Sequence, residues 1–125
     1  MNKADIIKRV HKLGFDKKDY WIIAGTAMVM YGFRAETNDI DMGCSRALAD
    51  RLEKEGYPTS YSKDTMRKIT IGDDVEIFED WLYDRVEMVD GLPVLSVKGL
   101  IEMKRFLGRE KDLRDIELIE KALQI

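Results

Sequence analysis

Cysteine occurs once in the 125 residues, at Cys44, so no intrachain disulfide can form, and a reducing, cytoplasmic setting is expected. Histidine also occurs once, at His11. With one of each, no zinc-type ligand spacing exists. His11 falls on the polar side of a first helix and reads as solvated, and Cys44 has no histidine partner in sequence to make it a nucleophile. Long apolar runs are missing as well. The longest, WIIAGTAMVMYGF, is short and interrupted by Gly25, whereas a bilayer span takes about 20 apolar residues. The opening segment MNKADIIKRVHKLGF is charged and amphipathic, unlike a signal peptide. No membrane association is expected. Repeats, low-complexity tracts and Pro/Gly/Ser linkers are absent, so a single domain over 1–125 is expected. Neither charge dominates: 21 Lys+Arg stand against 24 Asp+Glu, a formal net charge of -3. Nothing in that balance pulls the whole chain toward nucleic acid, although a local basic patch remains open.

What is present is a mixed α and β pattern. Residues 3–14 place Ile6, Ile7, Val10 and Leu13 at helical spacing, with Gly14 to end the helix. A short β-prone run covers 20–24, Gly25 breaks it, and an apolar helix over 26–31 ends at Gly32. A strand over 37–43 follows. Ser45 caps a helix over 46–55 closed by Gly56. Residues 57–62 read as extended. Strands over 66–71 and 74–78 meet at a Gly72-Asp73 turn, and 79–84 has no clear pattern. Residues 86–95 form a hairpin around Asp90-Gly91. Ser96 caps a helix running to about 107, stopped by Gly108. A last helix over 109–123 gathers Leu113, Ile116, Ile119, Ala122 and Leu123 on one face. The fold class is therefore α/β with a mixed sheet and two C-terminal helices. Trp21 and the seven methionines read as core, and Trp81 as a surface or substrate contact.

The chemistry concentrates in two aspartates one residue apart. A strand's period of two aims Asp39 and Asp41 the same way, with Ile40 and Met42 opposite. Such a pair is a hard oxygen site of the kind Mg²⁺ shares with phosphate. By itself it is equally a solvated strand edge. Upstream, Gly25 lets a chain approach closely and the Thr26 hydroxyl can donate to a phosphate at a helix start. The plainer alternative is a chain breaker followed by a helix cap. Glu76 in the run VEIF is the candidate third carboxylate, with Asp74 as the fallback on the same predicted face. Either is equally the solvent side of an edge strand.

The stretch AGTAMVMYGFRAETNDIDM resembles the signature of nucleotidyltransferases of the DNA polymerase beta superfamily. Gly25, Thr26, Gly32, Arg34, Thr37, Asp39 and Asp41 fall in its order. The stretch VKGLIEMKRFLGREKDLRDIELI is similar to the closing helix pair of minimal members, of the abortive-infection-toxin-like and lincosamide types. The resemblance implies a Mg²⁺-dependent transfer of a nucleoside monophosphate from an NTP to an acceptor hydroxyl, releasing pyrophosphate. It implies that Asp39, Asp41 and Glu76 are catalytic and hold one or two Mg²⁺. It also implies that Gly25 and Thr26 take the β- and γ-phosphates and Lys104 supplies positive charge for the leaving group. Arg34 would bind phosphate or brace the Asp39 loop. Lys111, Asp112 and Asp115 match the second block as structural or weakly acceptor-facing residues, and Arg109 is open between those roles. The acceptor is an RNA end, a protein side chain or a small molecule. A partner protein or a homodimer could complete the site. The alternative is an inactive nucleotide- or protein-binding module of the same fold, such as a toxin–antitoxin component.

Overall fold

The computed structural model describes residues 1–63 and 66–124. The elements in order are α1 (Lys3–Leu13), β1 (Tyr20–Ile22), α2 (Ala24–Met30), β2 (Ile40–Cys44), α3 (Arg46–Lys54) and β3 (Thr59–Tyr61). They continue with β4 (Arg67–Ile71), β5 (Val75–Glu79), β6 (Val86–Val89), β7 (Leu92–Leu95), α4 (Val97–Leu107) and α5 (Glu110–Leu123). Local chemistry explains most boundaries. Asn2 and Asp5 form a reciprocal cap on α1, and Gly14 leaves it in the left-handed region. The Ser45 hydroxyl accepts from the Leu48 amide and the Ser96 hydroxyl from the Gly99 amide. Asp90 and Gly91 have φ of 48° and 83°, the pair of positive values that a two-residue hairpin turn needs.

The seven strands form one mixed sheet in the order β3-β4-β5-β2-β1-β7-β6. β2 runs antiparallel to β1 and parallel to β5, and β1 runs parallel to β7. Alternation sorts the side chains. Tyr20, Ile22, Ile40, Met42, Ile69, Val75, Ile77, Leu92 and Val94 point to one face, where residues of α1, α2 and α3 complete the main core. On the other face Trp21, Ile23 and Leu95 meet Met103 of α4 in a smaller cluster. Gly43 belongs to that face, and an added Cβ there would come within 2.1 Å of the Trp21 indole. The missing side chain leaves room for the Trp21 indole over Gly43 of β2. No helix among the described residues is long and apolar enough to cross a membrane.

Three sequence expectations need correction. β2 starts at Ile40, so Asp39 lies in the turn before the strand and not on it. α2 starts at Ala24, so Gly25 sits in its first turn and Thr26 inside it. On α5 the buried residues are Asp112, Asp115, Ile116 and Ile119, while Leu113 and Leu123 are 52% and 55% exposed. The helix is rolled toward its acidic edge because α4 offers that edge a buried cation, Lys104, which must be paired.

Candidate active site

Asp41 and Glu76 are register partners across the parallel β2–β5 pair, so both carboxylates leave the sheet on the face opposite the main core. Asp39 stands on the turn that feeds β2. Desolvation, then the negative charge of Glu76 and of Asp39, pushes the Asp41 carboxyl up to about 6. Lys68, one strand further out, approaches Glu76 at 3.8 Å. Asp74, the fallback third carboxylate, is placed elsewhere. It precedes β5 and takes a bidentate pair from Arg9 of α1 at 2.8 and 3.0 Å, which holds its carboxyl below the usual range. Among the described residues, no three acidic, histidine or cysteine side chains are gathered closely enough to enclose an ion unaided.

Thr26 is the clearest departure from its expected role. It is fully buried; its hydroxyl accepts from the Asp41 amide at 2.9 Å and donates to the Asp39 carbonyl at 3.0 Å. Both hydrogen-bonding directions of the side chain are used on the backbone that carries the aspartates. Its part is to fix the Asp39–Asp41 turn, not to meet a phosphate. Gly25 does line the cleft. A Cβ there would come within 2.8 Å of Arg34 Nη1 and 3.3 Å of Thr37 Oγ1, so its absence lets both side chains close over the start of α2. Ala24 beside it has a φ of 54°, a strained value for a residue with a Cβ.

Lys104 is brought into the cleft wall but is already engaged. It is 4% exposed and donates to Asp115 at 2.9 Å, with Asp112 at 3.9 Å. Arg34 holds the other oxygen of Asp115 at 2.6 Å, and Arg109 holds Asp112 at 2.6 Å. Burial alone would raise both acids, but the hydrogen bonds from Lys104 and Arg34 to Asp115, and from Arg109 to Asp112, keep their carboxyls below the usual range. Lys111 at the mouth is exposed and has no carboxylate partner among the described residues, and its charge is felt at Asp41. Lys104 acts on Asp41 too, and its buried pairing with Asp115 is invisible in the sequence until α4 and α5 are placed together.

Gly25, Arg34, Asp39, Asp41, Glu76, Lys104, Lys111 and Asp115 line one cleft of about 450 Å³, in which Arg34 and Lys104 meet at Asp115. Phe78 and Trp81 close its remaining wall. Trp21 is core, as read from sequence, and donates its indole N–H to the Trp81 carbonyl at 2.8 Å. Cys44 is buried, which pushes its thiol up to about 12 and leaves it protonated at neutral pH.

No family model matches the chain, and no curated protein matches it. Solved structures do. A protein of Thermotoga maritima proposed to be a nucleotidyltransferase matches with a TM-score of 0.60 at 20% identity, over 98% of this chain and 95% of that one. The nucleotidyltransferase ANT(2'')-Ia, solved in complex with adenylyl-2''-tobramycin, matches with a TM-score of 0.55 at 17% identity, over 84% of this chain and 79% of that one. The chain therefore shares the fold of these structures, a mixed sheet flanked by helices.

Proposed function

We propose that this chain is a nucleotidyltransferase of one domain that moves a nucleoside monophosphate from an NTP to an acceptor hydroxyl. The observation that carries the reading is the pairing of Asp41 with Glu76 beside Asp39, facing cationic side chains across a single cleft. The three carboxylates are an all-oxygen donor set of the type Mg²⁺ shares with phosphates, and they fit one or two such ions. Bound there, Mg²⁺ would neutralise the triphosphate and favour ionisation of the acceptor hydroxyl. The chain's own residues do the rest. Gly25 and Arg34 receive the phosphates at the start of α2, where Arg34 lies over Gly25 and also holds Asp115. Lys111, in place of Lys104, meets the charge that develops on the leaving pyrophosphate. Thr26 holds the Asp39–Asp41 turn still. The acceptor oxygen bonds to the α-phosphorus as the bond from that phosphorus to the pyrophosphate oxygen breaks. The hydroxyl proton leaves to water, and the carboxylates, as the groups that would hold the ion, position the reactants. The adenylylated product bound to ANT(2'')-Ia is of the kind this reaction yields.

The test is to incubate the protein with Mg²⁺, cellular RNA, protein and small-molecule fractions, and each NTP labelled in turn on the α- or the γ-phosphate. Transfer of the α-label alone, absent from an Asp39→Asn, Asp41→Asn variant, is the expected result. Transfer of the γ-label, or equal transfer by the variant, contradicts the assignment.

A further inference from the structure

β6 is an edge strand of the sheet, and its outer side has no backbone partner among the described residues. Its register with β7 fixes which groups face outward. Pro93, which has no N–H to exchange, stands opposite Met88, and the Ser96 amide donates to the Arg85 carbonyl at 2.9 Å. Arg85, Glu87 and Val89 therefore turn their backbone groups toward β7, while Val86 and Met88 aim theirs away from the sheet. Side chains alternate with the same period. Val86 lies beside Leu95 on the α4 face, and Met88 follows it there, 60% exposed. Arg85 and Glu87 share the other face, with Arg85 donating to the Glu87 carboxylate at 3.1 Å in a pair open to solvent.

An edge of this kind is a template for a further strand unless something blunts it. The usual guards, a lysine, a proline or a bulge, are absent from Val86–Val89. β3, at the opposite edge, is better guarded. It has three residues, Thr59 and Ser60 are polar, and the Tyr61 hydroxyl is tied to Glu53 of α3 at 2.7 Å. Charge selects the occupant of the β6 edge. Outward backbone groups recur at every second residue, so a second copy of β6 laid antiparallel has few registers open to it. One of them opposes Glu87 to Glu87 of the second copy, which is repulsive. The register centred on Val86 opposes Val86 to itself, Arg85 to Glu87 of the second copy, and Glu87 to Arg85 of the second copy. The run Arg85-Val86-Glu87 is thus self-complementary when read antiparallel, with ion pairs on one face and a Val86–Val86 contact on the other. Both outward backbone groups of Val86 are then satisfied. β7 and β1 lie between β6 and β2, so this pairing leaves the carboxylates of the cleft uncovered.

We propose that two copies of this chain associate through β6, antiparallel and centred on Val86, so that one continuous sheet crosses the pair about a two-fold axis. The proposal does not depend on the chemistry of the cleft. A contact made by one short strand is small, so dimer and monomer exchange in the micromolar range or above. Sedimentation equilibrium of the full chain, from micromolar to near-millimolar concentration, tests it beside Arg85→Glu, Glu87→Arg and the variant carrying both. The unmodified protein should move from monomer to dimer mass as concentration rises. Each single variant sets like charges opposite each other and should weaken association on the order of tenfold or more. An equimolar mixture of the two single variants should regain it, because opposite charges then face each other across the pair. The double variant, with both signs exchanged, should regain it by itself. Circular dichroism and the urea midpoint should be the same for all four proteins, since both side chains are open to solvent. Monomer mass throughout the range overturns the proposal. So does association of the single variants equal to that of the unmodified protein, which would put the contact elsewhere, or a mixture that associates no better than its components.

Discussion

Asp41 is where the needs of chemistry and of stability oppose each other. Its carboxyl is pushed up to about 6 by desolvation and by two neighbouring acids. A proton is therefore held more tightly in the folded state than in the unfolded one. The group favours the fold at pH below about 4, and that contribution is lost as pH rises through about 6. Asp41→Asn, which stays uncharged, should match the unmodified protein at pH 4 and exceed it by about 2–3 kcal/mol at pH 7 in metal-free urea titrations. No gain at pH 7 would show that the carboxylate is not strained by its neighbours. Thr26 presents the opposite case, a residue whose worth is structural. Thr26→Val leaves the buried Asp41 amide without an acceptor and should cost about 1–3 kcal/mol, whereas Thr26→Ser should retain most of the stability. Equal stability of the two variants in the same titration would remove the proposed brace. The sequence placed Thr26 correctly in a motif, but a buried hydroxyl has several potential partners, and only the fold shows that both of its bonds go to the Asp39–Asp41 turn.

At the scale of elements, the signals that act within a few residues were legible. Ser45, Ser96, Gly14 and Gly108 mark helix ends because capping is satisfied locally, and Asp90-Gly91 marks its hairpin for the same reason. The face of α5 was not legible. Leu113 and Leu123 look like core on a wheel, yet Asp112 and Asp115 are the residues buried, because their partner Lys104 lies on a different helix. The packing of α4 on α5 separates two lysines that look alike in sequence. Lys104→Met strips a cation from two buried carboxylates that keep only Arg34 and Arg109, and should cost about 3 kcal/mol in urea unfolding. Lys111→Ala should change stability by less than about 0.5 kcal/mol while weakening Mg²⁺–ATP binding on the order of tenfold. A Lys111→Ala variant with unchanged ATP affinity would return the phosphate-binding role to another cation.

Over the whole molecule, one sheet assembles the cleft. β2 and β5 carry Asp41 and Glu76 as register partners, and α2, which follows β1, brings Gly25 to the same cleft. Asp39, Asp41, Glu76, Gly25 and Arg34 were each marked in the sequence and do meet in one cleft. Phe78 was not marked and Trp81 only by itself, since β5 and the loop after it bring the two rings to 5.0 Å in the cleft wall and no local pattern links them. The most direct measurement is calorimetric titration of ATP into the protein with and without Mg²⁺, beside the Asp39→Asn, Asp41→Asn variant. A cleft built for a metal-bound triphosphate predicts binding by the unmodified protein that needs Mg²⁺ and weakens at least tenfold in the variant, by analogy with losing charge-assisted contacts of about 1.4 kcal/mol or more. Equal affinity in both proteins, or affinity indifferent to Mg²⁺, would contradict the assignment of Asp39 and Asp41.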